Sequence, residues 1–353
     1  MNGISSGLLQ LVKSTVARGR HVLLELKRGL AGVALVKSLI VAAMTTRDDR
    51  IEGGVLGLLI GDALGVPYEF HGPEQIPARA QIEMEPPPGF RRAHAGVPVG
   101  TWSDDGAQAL CLLACLLEHD KLELADFGAR LLRWYDEGYL AVDGRVFDVG
   151  VQTGTALRRL AAGTDPAQAG PSGEYDNGNG SLMRVLPLAL WHRGDDEALL
   201  ADAMRSSLPT HGHLRSQLCC AVYCLWARRV LDGDELNSAW EHAVATLERV
   251  ASGREGWERE IWLMALRRDP DGRGSGYVVD CLHSARLALQ EGSFEAVVKA
   301  AIALGNDTDT TAAVAGGIAG VRFGASAIPE RWRRALRGRE LLDPLLAGLR
   351  HSS

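Results

Sequence analysis

Gly53, Gly57, Gly61 and Gly65 recur at every fourth position of the apolar run Ile51–Gly65, and no other feature limits the packing of this chain as much. Residues four apart share one face of an α-helix. The run therefore offers a stripe without side chains, along which a second helix can approach closely. Clustered glycines also build nucleotide loops, but here no strand precedes them and neither GxGxxG nor GKS/T occurs. Asp62 lies inside this apolar helix, and Glu69 follows just past its end at Pro67. A buried carboxylate without a partner is costly, so each requires a cation or a set of donors.

The same requirement is stronger near the C-terminus. Leu304-Gly-Asn-Asp-Thr-Asp-Thr-Thr311 runs straight into the apolar, glycine-spotted segment Ala312–Gly320. Asp307 and Asp309, with Thr308, Thr310 and Thr311 around them, gather several oxygen ligands at the mouth of one helix. Hard divalent cations take ligands of this kind. Helix capping is the alternative, because Asp and Thr also accept hydrogen bonds from free N–H groups at the positive end of the helix dipole. One cap needs one such residue, however. Ser103, Asp104 and Asp105 repeat the arrangement at the start of a helix expected over residues 105–118. Each cluster is oversupplied as a cap, and two together favour a metal site.

Apolar spacing near the helical period predicts further helices over 122–138, 149–162, 181–193, 197–207, 215–231, 235–251, 257–266, 277–290, 294–304 and 329–336. Strand-like alternation is almost absent, so the expected fold class is all-α, and no fixed repeat points to a solenoid. With 353 residues, 46% of them apolar, the chain can build a full core. Residues 71–101 carry Pro73, Pro77, Pro86, Pro87, Pro88 and Pro98 and are expected to be irregular; loops of such length are usually functional or disordered. A second irregular stretch, Thr164–Gly180, closes in Tyr175-Asp-Asn-Gly-Asn-Gly-Ser-Leu-Met-Arg184. Its Asn-Gly steps permit positive φ, so backbone N–H groups can converge on an anion or a ribose, though Asn-Gly is also an ordinary turn. Thr210-His211 precedes another helix, where a lone histidine is more often structural.

A net charge of −6 argues against general nucleic-acid binding, which needs a basic footprint. The charge is uneven: residues 1–46 hold Lys13, Arg18, Arg20, Lys27, Arg28 and Lys37 against Glu25 alone. Their apolar residues also recur at helical spacing. A basic amphipathic extension over residues 1–48 is therefore expected ahead of a main domain over 49–350, with its own domain, a membrane surface or a partner protein to cover its apolar face. No transmembrane segment is expected, since the run from Gly29 to Met44 is interrupted by Lys37 and is shorter than the roughly 18 residues a span requires. Cys111, Cys115, Cys219, Cys220, Cys224 and Cys281 form no CxxC pair, and buried free thiols in a cytoplasmic protein are the expected reading.

Taken together, these pieces resemble the ADP-ribosylglycohydrolase family over residues 51–345. The matching segments, in order, are Gly61-Asp-Ala-Leu-Gly65 with Glu69, Trp102-Ser-Asp-Asp105, Asp148-Val-Gly150, Asn179-Gly-Ser-Leu-Met-Arg184, Thr210-His211 and Gly305-Asn-Asp-Thr-Asp-Thr310. Each is modest alone; the six in this order are specific. The resemblance implies a compact all-α domain with two Mg²⁺ ions in a central cleft and removal of ADP-ribose from modified protein side chains. Carried over, Ser103, Asp104, Asp105, Asp307, Asp309 and Thr310 would hold the metal pair, and Glu69 would act beside it as a metal-linked or acid/base carboxylate. Gly150, Asn179, Gly180, Ser181, Met183 and His211 would line the ADP-ribose cleft. Asp176 stands where arginine-specific bacterial relatives place an aspartate facing the guanidinium, which points to arginine as acceptor.

Two departures are visible: Gly106 stands where relatives usually have Thr or Ser, and Asn306 where a second Gly is common. Neither removes a ligand. The first fifty residues lie outside the family domain and look like the extension of immunity proteins that bacteria pair with type VI secretion toxins, where it blocks an ADP-ribosyltransferase. The alternative function is then a protein-binding inhibitor that occludes a toxin through this extension, with catalysis secondary or absent.

Overall fold

The computed structural model describes residues 46–351; the amphipathic helices expected over 2–45 lie outside them. Helix α1 (Arg47–Gly65) is capped by the Thr46 hydroxyl, which accepts from Asp49 N at 3.1 Å, and Asp48 and Asp49 sit favourably in its first turn. It runs into a 3₁₀ turn at Val66–Tyr68, where Pro67 ends the regular ladder. This helix is long and apolar enough to cross a membrane, but 94% of its apolar window is buried inside the domain, as a central core helix requires.

Its partner is α13 (Thr308–Phe323), and the two helices form the most extensive contact in the fold. The glycine stripe explains why they meet so closely. A Cβ placed on Gly57 would lie 2.2 Å from Gly316 O, and one on Gly61 would lie 2.1 Å from Ala312 O. Backbone atoms cannot yield as a flexible side chain can. Gly57→Ala is therefore expected to destabilise the domain by at least the ~1–3 kcal/mol typical of overpacking, read as a lower midpoint in urea; an unchanged midpoint would show that the pair can separate at no cost.

Around this pair stand α2 (Asp104–His119), α3 (Leu124–Glu137), α4 (Val151–Ala161), the short α5 (Pro166–Ala169), α6 (Leu186–Trp191), α7 (Asp196–Ser207), α8 (Leu214–Leu231), α9 (Leu236–Ala251), α10 (Trp257–Met264), α11 (Val278–Ala288), α12 (Phe294–Ile302), α14 (Glu330–Ala335) and α15 (Arg339–His351). Among the described residues no strand occurs, only an isolated bridge between Gly178 and Tyr277. The expected all-α class is what the chain adopts. Helices α8, α11 and α12 pack around α13, while α2 packs on α3, α6 and α15. All six cysteines are free and buried in this core.

Two expectations change. The helix predicted over 181–193 is confined to Leu186–Trp191, because Pro187 occupies its first turn and residues 181–184 form turns. Helix α15, not anticipated, carries Pro344 inside it, a residue that reads as a helix breaker. The proline-rich segment is irregular apart from a 3₁₀ turn at Arg79–Gln81, as expected. It is held firmly by Glu83, whose carboxylate accepts from Trp332 Nε1 (2.6 Å), Arg331 Nη2 (2.9 Å) and Lys299 Nζ (3.1 Å). Those bonds hold its carboxyl down at about 2 against the cost of burial.

Candidate functional site

The N-termini of α2 and α13 converge beside the C-terminal end of α1, so the two acidic clusters read from the sequence form one centre. Thr310 Oγ1 donates to Asp105 Oδ2 at 3.3 Å across 205 positions of chain, and Thr308 Oγ1 donates to Gly65 O at 2.8 Å. Asp62 solves its burial with donors. Its carboxylate accepts from Ser103 N at 2.9 and 3.0 Å and from Gly106 N at 2.8 Å. Burial still pushes its carboxyl up to about 7, against the pull of those N–H groups. Asp62 thereby ties the start of α2 to α1.

Capping accounts for only part of the two clusters. Ser103 Oγ does accept from Asp105 N, at 3.3 Å. Asp307 occupies the N-cap of α13 without a capping hydrogen bond, and its Oδ2 instead accepts from Asn179 Nδ2 at 2.8 Å. Asp309 is fully buried, and among the described residues both its carboxylate oxygens lack a hydrogen-bond partner, as does Asp105 Oδ1. Oxygens with several lone pairs and no donor are the environment a hard cation fits. One oxygen each from Glu69, Asp307 and Asp309 lies within 4.8 Å of the other two, and the same holds for ligand atoms of Glu69, His94 and Asp148. The chain thus carries candidate acidic metal-binding groups.

Glu69 sits where these groups overlap. It is 4% exposed, and its Oε2 shares a hydrogen bond of 2.7 Å with His94 Nε2, which lies 3.9 Å from Asp148 Oδ1. Burial first, then the charges of Asp148, Asp307 and Asp105, push its carboxyl up to about 10. Burial and the neighbouring carboxylates likewise raise Asp104, Asp105 and Asp309 well above the ordinary range and raise Asp148, while burial alone raises Asp307 against the pull of its hydrogen bonds. Without positive charge supplied from outside, several of these groups would hold protons at neutral pH.

The centre opens into a cleft of roughly 310 Å³ whose lining includes Glu69, Asp104, Asp148, Asp307 and Thr310 together with Gly150, Asn179, Gly180, Met183 and His211. Among the described residues no lysine or arginine lines it. The remaining expected ligands, Ser103, Asp105 and Asp309, lie behind that surface and are nearly fully buried. His211 hydrogen-bonds Thr210 Oγ1 through Nδ1 at 2.8 Å. Burial and the nearby charge of Arg184 press its imidazole down to about 3, so it is neutral. A Cβ on Gly180 would come within 2.8 Å of the His211 ring, so this glycine gives the ring its place at the cleft.

Two expected residues stand apart from the lining. The Ser181 hydroxyl accepts from Ser207 Oγ at 2.9 Å and from Cys220 Sγ at 3.4 Å, on the core side. Asp176 is half-buried, with its Oδ2 accepting from Gly173 N at 2.8 Å inside its own loop; its backbone O accepts from Gln152, which does line the cleft. Sequence reasoning gave no site role to Asp148 or His94. Backbone geometry marks both: Phe70, His94, Asp148 and Asn306 all have φ between 47° and 63°, unusual for residues other than glycine, and all border this centre. Asn306 holds that conformation with an Nδ2–Arg273 O hydrogen bond of 2.9 Å.

A family model described as ADP-ribosylglycohydrolase matches residues 43–352. An ADP-ribosylarginine hydrolase Tri1 of Pseudomonas putida (strain GB-1) is 32% identical over 291 residues, 80% of this chain and 73% of that protein. An ADP-ribosyl-[dinitrogen reductase] glycohydrolase of Rhodospirillum rubrum is 28% identical, over 80% of this chain and 89% of that protein. A solved structure of an ADP-ribosylglycohydrolase-related protein complex superposes with a TM-score of 0.68 at 34% identity, covering 87% of this chain and 99% of that one.

Proposed function

This chain belongs to the ADP-ribosylglycohydrolase family, and we propose that it is a Mg²⁺-dependent hydrolase that removes ADP-ribose from arginine side chains of modified proteins. The observation that carries this reading is the buried, donor-free carboxylate of Asp309 beside Asp105 and Asp307. Only oxygen ligands face the centre from these residues, which favours magnesium over zinc, and the number and spread of carboxylates suit two ions. Ser103, Asp104, Asp105, Asp307, Asp309 and Thr310 are the residues assigned to hold them. When bound, the ions supply positive charge that orients the vicinal ribose hydroxyls and acidifies a water.

The chain's own groups carry the rest. Gly150, Asn179, Gly180, Met183 and His211 form the ADP-ribose wall of the cleft, with Ser181 supporting it from the core side. Hydrolysis breaks the bond between ribose C1 and the guanidine nitrogen, joins a water oxygen to C1 and returns a proton to the leaving nitrogen. Glu69, whose burial favours the protonated form, is the carboxyl assigned to that transfer, a role typically worth roughly 10²–10⁴-fold. Asp176, on the loop beside Gln152, is assigned to the guanidinium of the acceptor. Incubated with Mg²⁺ and proteins ADP-ribosylated through arginine, serine or glutamate, the enzyme should release free ADP-ribose from the arginine linkage, and EDTA should stop it. Absence of release from every linkage would sink the proposal.

A second role rests on the charge of residues 1–46 and on the start of the family match at residue 43. The basic extension is proposed to dock on an ADP-ribosyltransferase toxin, making the protein an immunity factor. Removing residues 1–45 should abolish binding to a transferase encoded beside it and leave hydrolysis intact; unchanged binding and unchanged protection would refute the docking role.

A further inference from the structure

Arg184 is 1% exposed, and among the described residues its guanidinium meets no carboxylate. Its Nη1 donates to Gln108 Oε1 at 2.6 Å, its Nη2 donates to Ser206 O at 3.3 Å, its Nε has no partner among the described residues, and its Cζ lies 5.1 Å from the Phe127 ring centroid. A buried cation of this kind is costly unless something nearby uses its charge. Gln108, itself fully buried, donates from Nε2 to Asp104 Oδ2 at 3.0 Å. Arg184 is thus one amide away from the acidic centre.

We infer that Arg184, acting through Gln108, is a positioning residue that fixes which oxygen of Asp104 faces the cleft and keeps that carboxylate an acceptor. This inference rests on the metal-centre reading above. Guanidinium has donors only, so Gln108 must turn its carbonyl toward Arg184 and its NH₂ toward Asp104. An NH₂ group can meet Asp104 Oδ2 only as an acceptor, which leaves the other oxygen for the cleft that Asp104 lines. Gln108 cannot flip without setting its NH₂ against the guanidinium. Groups that orient a ligand in this way typically affect metal affinity by roughly 10–100-fold.

The test is a double-mutant cycle on Mn²⁺ binding to the full chain without substrate, read from the free-ion electron paramagnetic resonance signal. Gln108→Met and Arg184→Met should each weaken Mn²⁺ binding about tenfold or more, and the double variant should bind no worse than Gln108→Met alone. Independent structural roles would instead give additive losses, and additivity overturns the inference. Arg184→Lys takes the place of Arg184→Met in the cycle if the latter does not fold; melting temperatures without metal establish folding for every variant. Unaltered Mn²⁺ affinity in a folded Gln108→Met protein overturns the inference alone. If the unsubstituted protein binds no Mn²⁺, the metal-centre reading falls and takes the inference with it.

Discussion

Replacing Asp309 by asparagine is expected to abolish release of ADP-ribose and, at the same time, to raise the melting temperature of the metal-free protein. The two effects have one cause. Asp309 is fully buried, neither of its oxygens has a donor among the described residues, and burial together with the charges of Glu69, Asp148, Asp105 and Asp307 raises its carboxyl. Asparagine keeps the shape, cannot ionise at any pH and brings an NH₂ that can donate to one of those carboxylates, so the cost of the empty cluster falls. The same change removes an anionic ligand from the proposed metal pair. Several kcal/mol of transition-state stabilisation are at stake in such a site, and each ~1.4 kcal/mol is tenfold in rate. A loss of about a thousandfold or more is therefore expected, with Mn²⁺ affinity falling in parallel. Thermal melts in EDTA and a release assay on one preparation decide the matter. A variant that melts lower without metal and still hydrolyses would show that Asp309 serves packing rather than a cation.

How much of this centre was legible in the sequence depends on how each residue is held. Asp104, Asp105, Asp307 and Asp309 could be read because they open helices beside hydroxyls, in excess of what capping needs. The glycine stripe of α1 could be read because it follows the helical period, although nothing in its spacing identifies α13 as the helix it meets. Asp62 was legible as a problem, a carboxylate in an apolar helix, and only the fold shows that Ser103 and Gly106 amides answer it. His94 was not legible, and Asp148 only as the first residue of the segment Asp148-Val-Gly150, with no role attached to it. Each lies on an irregular segment with no period to mark it, and each takes a left-handed backbone conformation beside Glu69 that its residue type does not announce. The chain Arg184–Gln108–Asp104 was hidden for a related reason: it joins α2 to the turns before α6, which are distant in sequence. Propensity and periodicity report the elements; contacts between loops belong to tertiary structure.

The second large effect is on stability. In EDTA, the melting temperature should fall steadily as pH rises from about 5 to 9, and Mg²⁺ should stabilise the protein most at the alkaline end. A carboxyl whose folded value lies above its unfolded one binds more protons in the folded state between those two values. Raising the pH through that window therefore drains stability from the fold, by up to ~1.4 kcal/mol per pH unit for each extra proton held. For Glu69 the window runs from 4.5 to about 10, and for Asp62 from 3.8 to about 7; Asp104, Asp105 and Asp309 shift in the same direction. Glu83 works the other way. Its folded value of about 2 lies below the ordinary 4.5, so the stability it contributes is present above that value and is lost as the solution is acidified through about 2. The metal-free protein should thus be most stable in mildly acidic solution, between these opposing limbs. A cation held by the same carboxylates replaces the protons they would otherwise keep, so the increment from Mg²⁺ should grow with pH until those carboxylates no longer need protons. Melts across this range in EDTA and in Mg²⁺ test both limbs. A metal-free protein whose melting temperature stays flat or climbs between pH 5 and 9 would mean that the cluster finds its positive charge within the fold, and the case for a bound cation would lose its electrostatic basis.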